Sequence, residues 1–455
     1  MLEFLWNLGS FVVALGLLVT VHEYGHFWVA RKCGIRVEKF SIGFGKTLWR
    51  RFDKYGTEYV VALIPLGGFV KMLDERVDEV AEQDKQFAFN NKSVYQRIAV
   101  VAAGPIANFI FAIVAFYLMF LIGSTTLKPI IGSIDTDSIA AQAQLAANSQ
   151  IVAINDMDVE NWQDVNMALA AQIGEPQVTI ATRTLDSTYV SKKQLDTTNW
   201  HYEPSKTSAM HSLGIVPFTP KKKINVSELT PGAAGEMAGL LVGDEIISVN
   251  GTNLVGNWQP FVDIIQQNPN ESVTIELARD GKKQEIVLLV GTRQQKDGRN
   301  TGFIGVAGQQ TYIEPWPDSH KLDVSYGPIS AIGKAVDSTW NLVELSFKMI
   351  GKLVTGLVSV ENLSGPISIA QGAGTSAGIG LAPFLYFLAL ISVNLGIINL
   401  LPLPILDGGH LLYYVIELLT GKPVPERFQE VGFKIGALIL LSLMSIAIFN
   451  DFSRL

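Results

Sequence analysis

Cysteine is nearly absent from this chain: Cys33 is the only one among 455 residues. A single thiol cannot form an intramolecular disulfide, and it excludes a zinc site built from several cysteines. Charged residues are also few, at 17%, and the net charge of -7 gives no indication of a nucleic-acid partner. A metal, if one is bound, must therefore rely on other side chains.

Hydrophobic residues, by contrast, make up 48% of the chain and collect in four runs long enough to span a bilayer. The runs are Phe4 to Val21, Ile98 to Gly123, Ala382 to Leu401, and Val431 to Phe449. No small-residue cleavage site follows the first run, so we predict a retained membrane helix there and not a signal peptide. The sequence therefore predicts an α-helical polytopic membrane protein with four transmembrane helices.

Basic residues indicate the orientation of these helices, because they collect on the cytoplasmic side of a membrane. Eight of them lie between Arg31 and Lys54, directly after the first helix. This predicts a cytoplasmic end for that helix. Both termini and a large section, residues 124 to 381, are then expected on the opposite side.

A metalloprotease signature, His22-Glu23-Tyr24-Gly25-His26, stands at the cytoplasmic end of the first helix. Residues four apart on a helix are separated by about 40° around its axis, so His22 and His26 can bind one metal with Glu23 beside them. A carboxylate there can act as the base for a zinc-activated water. A solvated helix end is the alternative, but ionisable residues at a bilayer are costly and tend to be functional.

A second polar motif follows the third predicted helix and runs from Asn399 through Pro402 and Asp407 to His410. The prolines stop a helix and the glycines after Asp407 permit close backbone approach, so we predict a tight turn from which the carboxylate reaches a metal. Three ligands and a water make an open catalytic zinc site. A fourth protein ligand would close it, so we expect local hydrogen bonding from His410.

The section between the second and third spans contains an internal repeat. Ile151 to Asp156 matches Ile246 to Gly251, and a tryptophan follows each copy. The second copy closely resembles a PDZ domain and the first is a degenerate version, which gives two tandem β-rich PDZ-like domains. Such domains bind peptide ligands by adding a strand to a sheet edge. A purely structural role as a bulky filter is equally open for the first copy.

A proline-containing spacer, Tyr312 to Pro328, follows the repeats. Beyond it, charged residues fall on one side of a helical projection: Lys334, Asp337, Glu344, Lys348 and Lys352. This pattern predicts an amphipathic helix that lies on the membrane surface. If it crossed, Asp407 would lie on the opposite side of the membrane from His22. Asn362 to Ile367 is an irregular apolar segment that fits a re-entrant loop.

A protease that works within a bilayer must unwind a helical substrate and hold it extended. Glu58 to Lys71 is β-prone with a Pro-Leu-Gly-Gly break, which predicts a strand-turn-strand loop that dips into the membrane beside the metal. An ordinary cytoplasmic hairpin is the alternative for this segment. For Asn394 and Asn399, interhelical hydrogen bonding is the alternative to substrate contact. The predicted substrate-binding residues are Gly43, Gly45, Gly67, Gly68, Phe69, Asn394, Asn399 and Pro402.

Both motifs at these positions, with paired PDZ-like repeats between the second and third spans, resemble the site-2 protease family of intramembrane metalloproteases over essentially the whole chain. The resemblance implies zinc as cofactor, His22, His26 and Asp407 as ligands, and Glu23 as catalytic base. It also implies regulated intramembrane proteolysis of single-pass membrane proteins, such as trimmed anti-sigma factors and remnant signal peptides. The location implied is the bacterial inner membrane, with both termini and the PDZ-like domains periplasmic and the active site near the cytoplasmic side.

The expected organisation then has five segments. They are the first half of the membrane protease core (1–126), PDZ-like domain 1 (127–220), PDZ-like domain 2 (221–310), the spacer with the amphipathic surface helix (311–380), and the second half of the core (381–455). Two other functions are weighed against it. A PDZ receptor with a structural metal would have no need of Glu23, and a transporter would place its ligands at the midplane and not at one membrane face.

Overall fold

Two blocks of helices flank a β-rich middle section in the computed structural model, which describes residues 2–77, 79–202, 207–254, 256–294 and 299–454. The N-terminal block holds two long helices joined by a small sheet. Its elements are α1 (Leu2–Lys32), β1 (Val37–Phe52), β2 (Glu58–Met72), the 3₁₀ helices η1 (Glu82–Phe87) and η2 (Phe89–Asn91), and α2 (Val94–Ile122).

The sheet of β1 and β2 is folded so that the first half of β1 lies between the two halves of β2. Phe40 accordingly aligns with both Tyr59 and Val70. The predicted strand-turn-strand is therefore wrong in detail: β2 is one continuous strand that pairs only with β1 in the described chain. Gly67 lies at the bend between its two halves with a φ of 146°, which residues with a side chain rarely adopt. Among the described residues, no strand pairs with the outer edge of β2 from Gly68 to Val70.

The first β-rich unit combines a sheet in the order β6-β5-β7-β8 with a separate pair, β4-β9. Its elements, preceded by β3 (Ser124–Leu127), are β4 (Ile131–Ile134), α3 (Ile139–Gln142), β5 (Ser149–Ile154), β6 (Met157–Asp158), α4 (Trp162–Ala170), β7 (Gln177–Thr184), β8 (Val190–Asp196), α5 (Ala209–Ser212) and β9 (Ile215–Pro217). Fully buried apolar residues such as Ile151, Val165 and Ile180 form its core.

The second unit has a larger sheet in the order β14-β13-β11-β10-β17, with β12 paired to β11. Its elements are β10 (Lys222–Leu229), α6 (Ala234–Met237), β11 (Glu245–Val249), β12 (Thr252–Asn253), α7 (Trp258–Gln267), β13 (Ser272–Arg279), β14 (Lys282–Leu289), β15 (Gly291–Gln294), β16 (Asn300–Phe303) and β17 (Val306–Tyr312). Ile224, Phe261 and Ile275 lie in a core of its own.

The predicted internal repeat is visible in these two units. Strand pair, helix and hairpin follow in the same order, as β5-β6-α4-β7-β8 and β11-β12-α7-β13-β14. The turns match as well: Asn155 and Asn250 both have positive φ, at 48° and 46°. Each asparagine side chain accepts a hydrogen bond from a backbone N–H of the following strand, that of Thr179 or Thr274. The repeat is therefore structural.

The C-terminal block is helical apart from its first strand. Its elements are η3 (Asp318–His320), β18 (Lys321–Val324), α8 (Pro328–Val354), η4 (Val360–Asn362), α9 (Pro366–Ile379), α10 (Leu381–Leu400), α11 (Asp407–Thr420) and α12 (Glu426–Ser453). β18 pairs with β3, so the chain leaves and re-enters the helical part at one place.

Four helices of the described chain are long and apolar enough to cross a membrane: α1, α2, α10 and α12. They contain the four predicted spans, apart from one residue at the end of the second and of the third. This confirms the prediction of four membrane-spanning candidates. The predicted amphipathic helix, α8, is not among them.

The charged side of α8 contacts the first β-rich unit, which sequence analysis did not anticipate. Lys334 Nζ donates to Glu160 at 2.8 Å, and Lys352 Nζ donates to the carbonyl of Ile173. On a neighbouring face of the helix, Ala331 and Ala335 are fully buried against α2 and α10. The helix thus lies between the β-rich unit and the apolar bundle.

The segment predicted to be irregular, Asn362 to Ile367, joins a short helix to a capped one in the structure. η4 ends at Asn362, and α9 begins at Pro366. Asp451, at the end of α12 and 2% exposed, accepts hydrogen bonds from the N–H groups of Gly365 at 3.0 Å and Ile367 at 2.8 Å. A carboxylate is favourable there because the first N–H groups of a helix lack partners within it. The end of α12 therefore fixes the start of α9.

Candidate metal centre and active site

The two sequence motifs meet although 381 positions separate His26 from Asp407. Asp407 Oδ2 lies 3.2 Å from Nε2 of His22 and 3.4 Å from Nε2 of His26. The two Nε2 atoms are 3.2 Å apart, and one ligand atom from each of the three residues lies within 4.8 Å of the others. Two imidazole nitrogens and a carboxylate oxygen thus point into one small space.

α2 holds both imidazoles from the side away from Asp407. Nδ1 of His26 lies 2.9 Å from the carbonyl oxygen of Val100. Nδ1 of His22 lies 3.1 Å from Nδ2 of Asn108, which is fully buried. In both rings the Nδ1 atom is thus occupied by α2, and Nε2 is left to face the shared space.

Close packing of α1 on α2 requires glycine at two positions. A Cβ on Gly25 would collide with the backbone of Ala103, and one on Gly104 would overlap the rings of His26 and His22. Gly104 therefore provides the room in which the two imidazoles lie side by side.

The prediction that Asp407 lies within a tight turn is wrong, because Asp407 is the first residue of helix α11. The turn precedes it, at Leu401 to Leu406, where the two prolines end α10. Gly408 and Gly409 pack against the backbone of that turn, where a Cβ would collide with the carbonyl groups of Leu400 and Leu403. The turn and the glycines together aim the Asp407 carboxylate back towards α1.

The donor set fits a divalent cation such as zinc. Burial alone would raise the pKa of Asp407, but the facing imidazoles of His22 and His26 outweigh it and hold that pKa below its usual range. The group is therefore a carboxylate, the form that binds a cation. Its Oδ2 is buried without a hydrogen-bond partner, an arrangement that is costly unless another group occupies the space in front of it. Two imidazoles and one carboxylate also match the ligand set of open catalytic zinc sites.

Glu23 lies beside this group and next to the sheet. A Cβ on Gly68 would come within 3.0 Å of Glu23 Cγ and within 2.9 Å of a Val19 methyl, so only glycine lets β2 pass this closely. Both Gly68 and Glu23 line a cavity of about 520 Å³ that also contains the His22, His26 and Asp407 side chains. The unpaired edge of β2 therefore borders the space that holds the candidate base.

Of the eight predicted substrate-binding residues, two belong to the described lining of the cavity. Gly68 and Phe69 line the cavity, and Gly67 and Gly43 pack within the sheet behind it. Asn394 instead accepts a hydrogen bond from Ser346 of α8 at 2.9 Å, as its alternative interpretation expects. Gly45, Asn399 and Pro402 are also outside the described lining of this cavity. His410 lines the cavity but does not belong to the three-ligand group.

The contributions of α2 to the site do not follow from the sequence motifs. Asn108, Gly104 and the Val100 carbonyl all lie within one apolar span. A signal was available for Asn108, since a polar amide in the middle of a predicted membrane helix is costly and points to a specific role. No local pattern marks the Val100 carbonyl, because it becomes visible only when α1 and α2 are placed together.

Known proteins resemble this chain along its full length. The profile of peptidase family M50 matches residues 10–443. "Regulator of sigma-E protease RseP" from Salmonella typhimurium is 51% identical over 455 residues, and the protein of the same name from Escherichia coli is 50% identical. A protein from Vibrio cholerae with the provisional name of a zinc metalloprotease is 46% identical. Each alignment covers 100% of both chains.

A solved structure also resembles one part of the chain. A PDZ domain of an SdrC-like protein from Listeria monocytogenes covers 20% of this chain and 93% of its own, at 21% identity and a TM-score of 0.18. A score this low supports no argument.

We expect Gly104→Ala to weaken metal binding, because the added methyl group overlaps the His26 ring. The loss of metal affinity should be at least about tenfold, the lower end of what disturbing the surroundings of a metal ligand costs. Zinc bound per purified protein after dialysis against a weak chelator measures it. Gly16→Ala on α1 is the control, since its methyl group would meet no atom within 4 Å. Equal zinc retention by both variants would contradict the role given to Gly104.

Proposed function

This chain belongs to peptidase family M50, the family of the site-2 proteases, and on that premise we propose that it cuts the transmembrane segments of single-pass membrane proteins with a zinc-activated water. It is a metalloendopeptidase of the site-2 protease type. The observation that supports the proposal best is the meeting of His22, His26 and Asp407 within 4.8 Å, beside Glu23 and an open sheet edge.

We propose His22, His26 and Asp407 as the zinc ligands and Glu23 as the general base. Bound zinc would lower the pKa of a coordinated water from about 16 towards 7. Glu23 would take the proton of that water and later pass it to the leaving amine of the cut peptide bond. Because Glu23 is not part of the three-ligand group, it is free for proton transfer.

We propose that the unpaired edge of β2 holds the substrate. A helical segment hides its carbonyl groups in its own hydrogen bonds, so it must be unwound before attack. Backbone groups of Gly68, Phe69 and Val70 offer the unwound segment new partners, which is the strand-addition mode of peptide binding. In lipid, such an edge is tolerated only where it borders a cavity, and this edge does. The sheet is thus the membrane-dipping element of the proposal, with Gly43, Gly45 and Gly67 shaping it.

We propose that α1, α2, α10 and α12 span the bacterial inner membrane, with the His26 end of α1 towards the cytoplasm. The basic residues from Arg31 to Lys54 support this orientation. Both termini and the β-rich units are then periplasmic, and α8 lies along the periplasmic membrane surface beneath the first unit. Of the segment bounds proposed above, those at residues 220 and 380 fall between described elements, whereas those at 126 and 310 fall within β3 and β17.

The names of two relatives refer to regulation of sigma-E. On that basis we propose anti-sigma factors that another protease has already trimmed, and remnant signal peptides, as substrates. Asn399 and Pro402, at the end of α10 and in the turn after it, would contact such a segment as it nears Asp407. For Asn394, the bond with Ser346 supports an interhelical role instead.

We propose that both β-rich units are PDZ-like and that only the second binds a peptide. A groove between α7 and β16, lined by Trp258, Phe261 and Phe303 among others, is open in the second unit. In the first unit, α5 takes the place of β16, and Met210 fills the space beside α4 with 9% exposure. The first unit would then act mainly as bulk over the membrane part.

Glu23→Gln should lower cleavage of a membrane-spanning reporter by about 10²–10⁴-fold, the range for removal of a general base. Zinc content should stay at the wild-type level, because Glu23 binds no metal in the proposal. Initial cleavage rates in detergent or vesicles, with zinc measured on the same samples, provide the test. Glu3→Gln, at the far end of α1, should behave like the wild type. Undiminished cleavage by the Glu23 variant would remove the proposed mechanism.

Cysteine cross-linking should show the substrate on the β2 edge. In a Glu23→Gln, Cys33→Ala background, a cysteine at Phe69 should form a disulfide with a cysteine in the substrate's membrane segment, because both strands would lie side by side. A cysteine at Trp49 is the matched control, as it is exposed on the opposite edge of the same sheet. Cross-linking that is equal at both positions would argue against strand addition.

Removing the β-rich units should allow cleavage of substrates that still carry bulky outer domains. Residues 129–319 can be replaced by a short Gly-Ser linker, since the Lys128 N–H lies 2.9 Å from the His320 carbonyl oxygen. A filter of this kind acts either through its bulk or through a peptide bound in the open groove. If peptide binding is required, Val262→Arg in that groove should change selectivity by itself. Selectivity that survives the deletion would exclude both forms, and an intact zinc content controls for folding.

A further inference from the structure

Asn108 is a polar residue in an apolar place. It lies within α2, one of the four candidate spans, and none of its surface is exposed. Nδ2 of its carboxamide faces Nδ1 of His22 at 3.1 Å, while Oδ1 is buried without a hydrogen-bond partner. Burying an amide whose hydrogen bonds are incomplete costs free energy. The contact between Asn108 and His22 therefore needs an explanation.

Metal binding decides which hydrogen-bonding group His22 presents to Asn108. A ring nitrogen that binds a metal carries no hydrogen, so the hydrogen of a neutral imidazole must be on the other nitrogen. Nε2 of His22 faces Asp407 and the shared space. Nδ1 therefore carries the hydrogen in the metal-bound ring and needs an acceptor.

A carboxamide can supply that acceptor by turning about its last bond. Its oxygen and nitrogen exchange places when it does so, and no other partner holds Oδ1 among the described residues. Oδ1 then accepts from Nδ1–H of His22, whereas Nδ2 can donate to Nδ1 when the ring binds no metal. Asparagine is suited to both states because it carries a donor and an acceptor on one planar group.

We propose that Asn108 is a positioning residue that fixes the tautomer and the orientation of His22 for metal binding. The inference rests on the proposed zinc site. It gives His22 the counterpart of what His26 already has, since Nδ1 of His26 lies 2.9 Å from the Val100 carbonyl oxygen. Such outer partners orient metal-binding histidines and raise their basicity.

Asn108 is itself held in place by the helix next to it. Ser392 Oγ of α10 donates to the backbone carbonyl of Asn108 at 2.8 Å, and both residues are fully buried. This bond concerns the backbone only and does not reach His22. Ser392 therefore offers a control that disturbs the same pair of helices without removing the group that faces the imidazole.

Zinc affinity of the full-length protein tests the proposal without any measurement of cleavage. Competition with a chromophoric chelator should show about 10–100-fold weaker zinc binding for Asn108→Leu, the usual cost of losing such a partner. Asn108→Asp keeps an oxygen acceptor at the same position and should stay close to wild type. Ser392→Ala should also retain wild-type affinity. Monodispersity and thermal melting of the metal-free variants show that each is folded.

These measurements distinguish a failure of the role proposed for Asn108 from a failure of the proposed zinc site. Wild-type zinc affinity in a folded Asn108→Leu protein would overturn the role of Asn108 and leave the zinc site intact. Equal losses in the leucine, aspartate and Ser392→Ala variants would also overturn it, because they would point to packing. Failure of the wild-type protein to bind zinc would instead refute the proposed function. If the leucine variant does not fold, Asn108→Ala provides the same comparison with a smaller change.

The electronic spectrum of the cobalt-substituted protein gives a second readout. A carboxylate at position 108 should raise the basicity of His22 and shift the visible bands of the bound cobalt. Ser392→Ala should leave those bands unchanged. Identical spectra for the wild type, Asn108→Asp and Asn108→Ala would contradict a hydrogen bond from His22 to residue 108.

Discussion

The structure depends on placing two imidazoles and a carboxylate together in largely apolar surroundings. Each of these groups loses hydration on burial, and such a loss is tolerated only where the groups satisfy one another or bind a metal. His22 and His26 come from one turn of α1, whereas Asp407 comes from the start of α11. The helices between them must therefore hold two segments that are distant in sequence in a fixed arrangement.

α2 provides most of that register. It is the helix that both histidines rest against, through Val100 and Asn108, and Gly104 between these two residues opens the space for their rings. α2 in turn packs along α10, where Gly396 lies against Phe109. Because α10 leads directly into the turn before Asp407, the same helix pair that orients the imidazoles also sets the position of the carboxylate. The site is thus specified by a continuous packing path and not by the ligands alone.

The local part of this arrangement could be predicted from the sequence, as could the meeting of the two motifs, whereas the other long-range contacts could not. The spacing of His22 and His26 fixes their common helix face, and the apolar runs fix the four candidate spans. Whether Asp407 would meet them followed from topology. In contrast, the capping of α9 by Asp451 and the contact of Lys334 with Glu160 join residues far apart in the chain. No periodicity marks such pairs, so the sequence pattern predicted these helices but not the contacts that hold them in place.

Gly68 links the chemistry to the substrate geometry. A strand edge that borders a catalytic base must come close enough for a bound backbone to reach the attacked position, yet every side chain larger than hydrogen at this point would strike Glu23, Val19 or the carbonyl of Ser41. The close approach of the strand to Glu23 therefore requires a residue without a side chain at position 68. The glycine also weakens the strand intrinsically, because it loses more conformational entropy on folding. The long pairing of β1 with both halves of β2 offsets that weakness, which gives a physical reason for so extended a sheet next to so small a site.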